Sequence, residues 1–185
     1  MTPTLSGEDI VLRPMSIMDA PAIQMHFPHW DIVKNLTPQI PWPYPPNGAE
    51  HFLKNVVLPK MDRDEMYGWA ICLHEKPNDL IGAISYSPKD PKGLRRGFWL
   101  AREYHGRGYM TQAVYLMQDF LFLSCNIPKM HMMNNVENIA SRRIKEKTGA
   151  TFIKIIEFES LSGGKESELW ELTREDWIAF RQKNK

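Results

Sequence analysis

The chain has 185 residues, of which 43% are hydrophobic and 24% are charged, a composition typical of one compact globular domain. Its 23 lysines and arginines nearly balance 22 aspartates and glutamates, and a net charge of +1 excludes the broad basic surplus of a nonspecific nucleic-acid-binding protein. The longest apolar run, around residues 120–123, is far below the ~20 residues that a membrane span needs. The first residues have neither a basic nor an apolar segment, so we expect no signal peptide, a cytoplasmic protein and one domain over residues 1–185.

The residues that commonly bind metals do not show the spacing of a metal site. Cys72 and Cys125 lie far apart in apolar segments, so both are expected to be free thiols. His26 and His29 form an HxxH pair without a third ligand, which favours a surface role over zinc. The sequence therefore predicts a protein that needs no metal.

The first part of the chain predicts a strand, a helix and a long proline-rich loop. Residues 9–15 are rich in strand formers, and from Ser16 apolar residues recur at helical spacing. Residues 28–46 contain six prolines with Trp30, Trp42 and Tyr44 between them, a composition that favours neither a helix nor a central strand. Long ordered loops of this kind are often functional.

The middle of the chain predicts a helix followed by an antiparallel meander. Asn47, with Glu50 three residues later, indicates the start of a helix, which we expect to end near Pro59. Three β-rich runs follow, separated by turn-forming residues. The strands are predicted at 66–74, 80–87 and 95–101, with turns at 76–79 and 87–90.

The last part of the chain alternates between helices and strands. Residues 109–123 are apolar almost all round, which predicts a helix buried against a sheet. Gly149 is expected to end a polar helix, and Thr173 with Asp176 to begin the last one. In order, we predict a strand at 129–133, a helix at 138–147, strands at 152–159 and 166–172 joined by a turn at 162–164, and a helix at 174–182.

The stretch between the strand at 95–101 and the helix at 109–123 predicts an anion site. Gly106 and Gly108 come just before this helix, whose first backbone N–H groups have no partner within the helix. Glycine lets the main chain approach a phosphate closely, and Arg107 adds a permanent charge. Neither GxGxxG nor a Walker motif is present, so we expect an anion held by main chain and arginine without metal.

Further motifs accompany this loop in a fixed order. Asn138 and Ser141 form an N-x-x-S pattern, which a Lys-x-Gly at Lys147 and Gly149 follows. Three further segments belong to the same series: Leu-Arg-Pro at 12–14, Pro-Trp-Pro-Tyr at 41–44 and Leu-Thr-Arg-Glu-Asp-Trp at 172–177. With the loop at 105–110, these motifs resemble the GCN5-related N-acetyltransferase (GNAT) superfamily, and specifically its RimJ/RimL-like branch. Four residues depart from the family's preferences: His105, Met110, Gln112 and Lys145. At the position of Lys145, many members carry a tyrosine that protonates the departing thiolate.

The resemblance implies an α+β fold with three α/β/α layers and a mixed, mostly antiparallel central sheet. The strand at 97–101 would splay away from a parallel neighbour at 129–133, and the pantetheine arm of acetyl-CoA would fill the gap. There it would pair with the backbone of Trp99 and Leu100, while an N–H near Phe98 would polarise the thioester carbonyl. The remaining implied cofactor-binding residues are His105, Gly106, Arg107, Gly108, Tyr109, Met110, Thr111, Asn138 and Ser141.

The implied activity is acetyl transfer from acetyl-CoA to a primary amine by direct attack on the thioester. The acceptor would be a protein N-terminus, such as that of a ribosomal protein, or a small-molecule amine. Ser141 is expected to protonate the departing thiolate, and Glu159 to act as the base, with Glu103 as the second candidate. The alternative is a non-catalytic acyl-CoA-binding sensor or interaction module.

The family places the loop at 28–46 beside the thioester. Trp30, Trp42 and Tyr44 favour an acceptor with apolar surface, and Asp31 is the one acidic residue of the loop. This favours a protein N-terminus or an apolar amine over a polyamine. We expect neither nucleic acid nor a membrane as a partner, and the sequence leaves a homodimer open.

Overall fold

The computed structural model describes residues 1–89 and 96–184, and its strands form two antiparallel sheets. The first sheet contains, in spatial order, β1 (Leu5–Ser6), β2 (Ile10–Pro14), β3 (Tyr67–Leu73), β4 (Lys76–Tyr86) and β5 (Arg96–Leu100). The second contains β6 (Lys129–Asn135), β8 (Glu166–Thr173) and β7 (Thr151–Glu157), with β8 in the centre. The predicted meander is therefore confirmed as β3, β4 and β5.

Helices cover both faces of the sheets and connect their strands. They are α1 (Ala20–His26), α2 (Trp30–Val33), α3 (Gly48–Phe52), α4 (Leu58–Asp62), α5 (Tyr109–Asp119), α6 (Ile139–Lys147) and α7 (Arg174–Lys183). Single π-helical turns, Leu53–Val57 and Phe120–Ser124, follow α3 and α5. Within residues 1–89 and 96–184, every helix is too short or too polar to cross a membrane.

Strand β3 shows how the three layers arise, because its successive side chains point to opposite faces. Trp69 and Ile71 pack into the cluster that contains buried residues of α5 and α7. Ala70 and Cys72 pack into the other cluster, which contains buried residues of α1 and α3. The sheet thus lies between two helical layers, as the predicted α/β/α arrangement requires.

A gap separates the two sheets at β5 and β6. Strand β5 pairs with β4 from Arg96 to Leu100, and no ladder joins it to β6 in the residues that the structure describes. The predicted separation of these two strands is therefore present, and the open side of β5 carries unpaired backbone groups.

The second helix begins after Asn47, as predicted, but its predicted end near Pro59 is wrong. Its helical path continues through Pro59 to Asp62, because the π-helical turn Leu53–Val57 widens the backbone where the proline offers no N–H. Asn47 occupies the N-cap position, but its side chain makes no capping hydrogen bond. Gln24 Oε1 instead accepts from the Ala49 N–H at 3.0 Å.

The predicted turn at residues 76–79 is also wrong. Strand β4 already begins at Lys76, and the tight turn lies at residues 74–75. Register shifts next to Cys72 accommodate the extra residues, and Arg13 donates to the carbonyl oxygens of Pro77 and Asn78 at 3.0 Å. These two hydrogen bonds from Arg13 help hold residues 76–79 in strand conformation, although their sequence is typical of a turn.

Smaller differences concern the loops. The proline-rich segment contains one helical turn, α2, where neither helix nor strand was predicted. Strand β7 ends at Glu157, so Glu159 lies beyond the strand that was expected to carry it. The predicted turn at 87–90 lies partly, and Arg95 of the predicted strand entirely, outside the described residues. Cys72 and Cys125 are free, as predicted.

Candidate active site

A groove of about 330 Å³ lies where the end of β5 meets the beginnings of α5 and α6. Its walls come from the open side of β5, from the glycine loop before α5 and from the first turns of α6. Predicted site residues that line this groove are Phe98, Trp99, Leu100, His105, Gly106, Gly108, Tyr109, Met110, Thr111, Asn138 and Ser141. The structure thus brings the strand motif, the loop motif and the N-x-x-S motif together.

The glycine loop presents backbone N–H groups to the groove. Gly106 and Gly108 have φ angles of +76° and +82°, which favour glycine, and Gly108 is the N-cap of α5. The first backbone donor used within the helix is Gln112 N–H, which bonds to Gly108 O at 3.0 Å. The N–H groups of Tyr109 to Thr111 are therefore available to an anion.

Space for such an anion is present at both glycines. A Cβ built on Gly106 or Gly108 would have no atom of the described chain within 4 Å. The loop therefore curves around an open space that side chains at these two positions would enter. Arg107 is exposed, stacks over the Tyr104 ring at 5.9 Å and does not line the groove.

The backbone of β5 corrects one predicted contact. The Ala101 N–H bonds to Ile81 O at 2.8 Å, and Trp99 pairs with Ala83. Because backbone groups alternate in direction along a strand, those of Trp99 face β4, whereas Phe98 and Leu100 direct theirs to the open side. A ligand in the gap would therefore form backbone hydrogen bonds with Phe98 and Leu100. Trp99 lines the groove but has no backbone group directed at such a ligand.

The beginning of α6 is fixed by Asn138. Its side-chain Oδ1 accepts from the Ser141 N–H at 3.1 Å, so Asn138 caps the helix. The Ser141 hydroxyl accepts a hydrogen bond from Lys145 Nζ at 2.8 Å, one turn further along. Both Ser141 and Lys145 are buried, with 7% and 1% of their surface exposed.

Lys145 lies in a cluster of charged side chains between the sheets. Burial lowers its pKa well below the ordinary lysine value; the Arg96 guanidinium lowers it further, and the Glu168 carboxylate opposes both effects. Arg142 forms an ion pair with Glu168 at 2.5 Å. Arg96 donates to Gln118 Oε1 at 3.2 Å, and its Nη2 is buried without a hydrogen-bond partner in the described part of the chain.

Glu168 is the acidic member of this cluster. Burial alone would raise its pKa, but hydrogen bonds from Arg142, Asn134 and Trp170 outweigh that effect and lower it. The carboxylate accepts from Asn134 at 2.9 Å and from Trp170 Nε1 at 3.1 Å. Glu168 therefore stays ionised and fully engaged, and it is not available to accept a proton from a ligand.

A second cavity, of about 400 Å³, lies on the other side of β5, and we call it the apolar cavity. It shares Asn35, Leu36, Phe98 and Trp99 with the groove. Most of its lining is apolar, and the side chains include Ile23, Phe27, Tyr44, Phe52, Val56, Met66 and Phe158. Of the described residues that line it, none is aspartate or glutamate, and the charged ones are Lys60 and Arg96.

Sequence comparison decides the family. Residues 9–151 match the family model "Acetyltransferase (GNAT) domain", and this range is more than half of the chain. The chain belongs to the GNAT acetyltransferase family. This confirms the predicted family, the acetyltransferase class and acetyl-CoA as the cofactor. No curated protein matches the sequence.

Solved structures of other GNAT proteins share the fold at low sequence identity. A ribosomal-protein-S5-alanine acetyltransferase from Vibrio fischeri is 18% identical with a TM-score of 0.77, over 95% of this chain and 98% of that one. A ribosomal L7/L12 α-N-protein acetyltransferase in complex with coenzyme A is 15% identical with a TM-score of 0.77, over 92% and 98%. A spermidine N-acetyltransferase chimera from Vibrio cholerae and hSSAT is 14% identical with a TM-score of 0.74, over 92% of this chain and 99% of that one.

The predicted acceptor residues of this GNAT chain are divided between the cavity and the surface. Tyr44 lines the apolar cavity. Trp30 and Trp42 pack against each other with ring centroids 5.4 Å apart, are 43% and 41% exposed, and line neither the groove nor the apolar cavity. Their contact with an acceptor therefore stays a prediction.

The two candidate bases also lie outside both cavities. Glu159 is exposed, although its neighbours Phe158 and Ser160 line the apolar cavity. Glu103 lies 3.4 Å from His26 in an ion-pair geometry and is 56% exposed. Across residues 1–89 and 96–184, no group of three or more His, Cys, Asp or Glu side chains lies close enough together to hold a metal ion.

Lys145 stands where many members of the family carry a tyrosine, and the sequence motifs assign it no role. Its contact with Ser141 follows from the i, i+4 spacing on a helix, which places both side chains on one face. The sequence pattern contains that spacing, but it does not show that this face of α6 is buried. The involvement of Arg96 and Glu168 depends on how the two sheets pack and is not visible in any local motif.

Proposed function

We propose that the chain transfers the acetyl group of acetyl-CoA to a primary amine, with acetyl-CoA in the groove and the amine in the apolar cavity. The observation that carries this proposal is that the two spaces meet at Phe98 and Trp99 on β5. A thioester at that junction would be open to the groove on one side and to an incoming nitrogen on the other. The two substrates would then meet without a change in the fold.

The residues of the groove fit the parts of acetyl-CoA. The N–H groups of Tyr109 to Thr111 and the open space at Gly106 and Gly108 suit a pyrophosphate. The Leu100 N–H on the open side of β5 suits an amide oxygen of a pantetheine arm, while the Leu100 carbonyl oxygen already accepts from His105 Nε2. The Phe98 N–H would stabilise negative charge that develops on the thioester oxygen. The cofactor supplies an acetyl group already activated as a thioester.

Ser141 is our candidate for the acid. Ser141 lines the groove, and its backbone N–H is held by the Asn138 cap. Asn138 also lines the groove, where its amide can contact the pantetheine region. Glu159 stays our candidate for the base. Because it lies beside the apolar cavity and not in its wall, a proton from the amine would reach it through water.

The apolar cavity supports an acceptor with an apolar body. Its described lining has no carboxylate and carries two cations, Lys60 and Arg96, which would repel a polyamine. The names of similar structures include acetyltransferases of ribosomal proteins and of spermidine, and this charge pattern favours the first class. We propose a protein N-terminus with an apolar first residue, or a small amine of similar shape.

A direct comparison of acceptors tests this. Acetyl-CoA is incubated with 2-phenylethylamine, a peptide whose first residue is phenylalanine, or spermidine, and release of the CoA thiol is followed with mass spectrometry of the products. We expect kcat/KM for the apolar amines to exceed that for spermidine by about 10-fold or more. The reason is that the additional positive charges of spermidine would meet Lys60 and Arg96 in the cavity without a carboxylate to pair with. Faster acetylation of spermidine would contradict the acceptor class, and binding of acetyl-CoA without turnover on any amine would favour a sensor.

A pair of variants locates the acceptor. Val56 lines the apolar cavity, so Val56→Phe would place a ring in it, whereas Lys54 is exposed on the same helical segment and Lys54→Phe adds the same ring outside. We expect Val56→Phe to raise the KM for the amine about 10-fold or more while the affinity for acetyl-CoA is unchanged. An equal effect of both variants, or none of either, would contradict the assignment of this cavity.

A further inference from the structure

The position of Lys145 needs an explanation, because its burial opposes stability. It is 1% exposed, and the only hydrogen bond to its ammonium within the described residues is the one to Ser141 Oγ. The nearby guanidinium of Arg96 repels it, while Glu168 is already engaged by Arg142. An apolar side chain of similar length would avoid this cost, so stability does not account for a lysine here.

The geometry points to a role through Ser141. A serine hydroxyl has one proton to donate and two lone pairs that accept. Lys145 occupies one lone pair at 2.8 Å, and it lies on the same face of α6 behind Ser141, away from the groove. The hydroxyl proton is then free to point to the groove, where the sulfur of acetyl-CoA would lie if the proposed function is correct.

We propose that Lys145 is a positioning residue that directs the Ser141 hydroxyl proton at the departing sulfur of CoA and returns a proton to Ser141 Oγ. The inference rests on the proposed acetyl transfer and adds to it the source of the proton. Lys145 does not contact the substrates itself. It acts through Ser141 alone.

Each acetyl transfer through this relay conserves bonds and protons. The acceptor nitrogen forms a bond to the acetyl carbon and loses one proton to water, and the carbon–sulfur bond breaks with its electron pair on sulfur. Sulfur takes the Ser141 proton, and Ser141 Oγ takes one from the Lys145 ammonium. The neutral Lys145 amine then regains a proton from water, so that one proton is released and one is taken up in each cycle.

The surroundings of Lys145 make its ammonium a stronger acid than an ordinary lysine. The charged groups that face it are Arg96 from β5, Glu168 from β8 and Arg142 from α6. Burial and Arg96 lower the pKa of Lys145. A lowered pKa of Lys145 reduces the free-energy cost of passing its proton to Ser141 Oγ, which favours the relay.

Two variants separate this role from a structural one. Lys145→Met removes the proton and keeps the length of the side chain, whereas Lys145→Arg keeps a charged donor that cannot release its proton. Lys154→Met, at an exposed site on β7, controls for the loss of one positive charge. All three, with Ser141→Ala, are compared with the wild-type protein by thermal unfolding and by calorimetry with acetyl-CoA.

With 2-phenylethylamine as acceptor, we expect Lys145→Met to lower kcat about 10- to 100-fold, close to the effect of Ser141→Ala, with little change in KM. In the wild-type protein kcat should fall as the pH rises through the lowered pKa of Lys145, and this fall should be absent in Lys145→Met. Lys145→Arg should have a kcat between those of Lys145→Met and wild type, because arginine can still orient the Ser141 hydroxyl but cannot return a proton to it. Full activity of Lys145→Met with the wild-type pH profile would overturn the inference.

A second measurement does not need an acceptor. The thiol of CoA bound to the protein is titrated through the ultraviolet absorbance of its thiolate. Because the relay stabilises negative charge on sulfur, we expect the ionisation constant of the bound thiol to be about 10-fold or more greater in wild type than in Lys145→Met. Equal titrations of the wild type, Lys145→Met and Lys154→Met would overturn the relay, even if acetyl transfer itself is confirmed. A wild-type protein without turnover would contradict the proposed function, while the thiol titration would still decide the inference.

Discussion

His105 Nε2 lies 2.8 Å from the carbonyl oxygen of Leu100 and joins the glycine loop to the last residue of β5. Because a carbonyl oxygen only accepts, this ring nitrogen must carry the proton. The bond connects two walls of the groove, the one that would hold the phosphates and the one that would pair with the pantetheine arm. His105, which departs from the family's preferred residues, therefore links the two parts of the proposed cofactor site.

Removal of this bond should weaken cofactor binding. His105→Ala is expected to lower the affinity for acetyl-CoA about 5- to 10-fold, since one neutral hydrogen bond contributes about 1 kcal/mol. His105→Gln keeps an N–H donor of comparable reach and should retain most of the affinity. Calorimetry of both variants checks this, and equal affinities of His105→Ala and wild type would show that the loop is held in place by other contacts.

The glycine at the start of α5 provides a second prediction. Gly108→Ala should reduce the affinity for acetyl-CoA at least about 10-fold, because a Cβ would enter the space proposed for the phosphates and a left-handed alanine costs about 1 kcal/mol. Gly163→Ala is the matched control. Gly163 has a φ of +86°, open space at its Cβ and a position outside both cavities.

Melting temperatures and calorimetry on the two alanine variants distinguish strain from obstruction. Both should lose a similar amount of stability, because the backbone conformations are nearly the same. Only Gly108→Ala should lose affinity for acetyl-CoA. If Gly163→Ala weakens binding as much, the effect is a general loss of order and the phosphate assignment fails.

The cofactor side of the site could be predicted from the sequence because its determinants are local. The turn at Gly106 and Gly108 requires glycine, and the helix that follows exposes its N–H groups whatever the rest of the chain does. The N-x-x-S motif was correctly placed at the start of a helix for the same reason. One contact was assigned to the wrong residue, since the direction of the Trp99 backbone depends on the register of β5 against β4.

The remaining parts of the site depend on packing between distant segments. The apolar cavity combines α1, the segment after α3, β5 and Phe158, and no single motif contains that combination. Pro59 was expected to end a helix, which is correct for a regular α-helix but not for one with a π-helical turn before the proline. Lys145 was noted as a substitution, and its partner became apparent only when α6 was placed against the sheets.

The surface pair of tryptophans separates a peptide acceptor from a small amine. Trp30 and Trp42 lie outside the apolar cavity, while Tyr44 of the same loop lies inside it. Trp42→Ala should therefore raise KM severalfold for a peptide that extends beyond the cavity, because an indole can bury 150–250 Å². It should leave the KM for 2-phenylethylamine unchanged.

Steady-state kinetics with both acceptors, together with thermal unfolding of Trp42→Ala, checks this expectation. A KM that rises for the peptide alone supports a peptide-binding surface beyond the cavity. A KM that is unchanged for both acceptors would restrict the acceptor site to the cavity and contradict a role for the two tryptophans. A loss of stability without a change in KM would make the pair a structural contact of the loop.

Stability should depend on pH in a way that identifies Lys145. In the unfolded chain this lysine has its ordinary pKa of 10.5, whereas burial first, and Arg96 second, lower its pKa in the folded protein. Between the two pKa values the unfolded chain binds more protons, so the free energy of unfolding rises with pH in that window. Below the folded pKa the cost of burying the ammonium is present in full.

Lys145→Met removes this dependence. We expect the variant to be more stable than wild type at neutral pH and the difference to shrink as the pH rises toward 10.5, by at most about 1.4 kcal/mol per pH unit for one proton. Urea unfolding of wild type, Lys145→Met and the exposed-site control Lys154→Met at a series of pH values measures it. Since all other titrating groups are common to the proteins, their contributions cancel in the difference. A difference that stays constant with pH would mean that Lys145 titrates as an ordinary lysine, and its ammonium would then be too weak an acid for the relay.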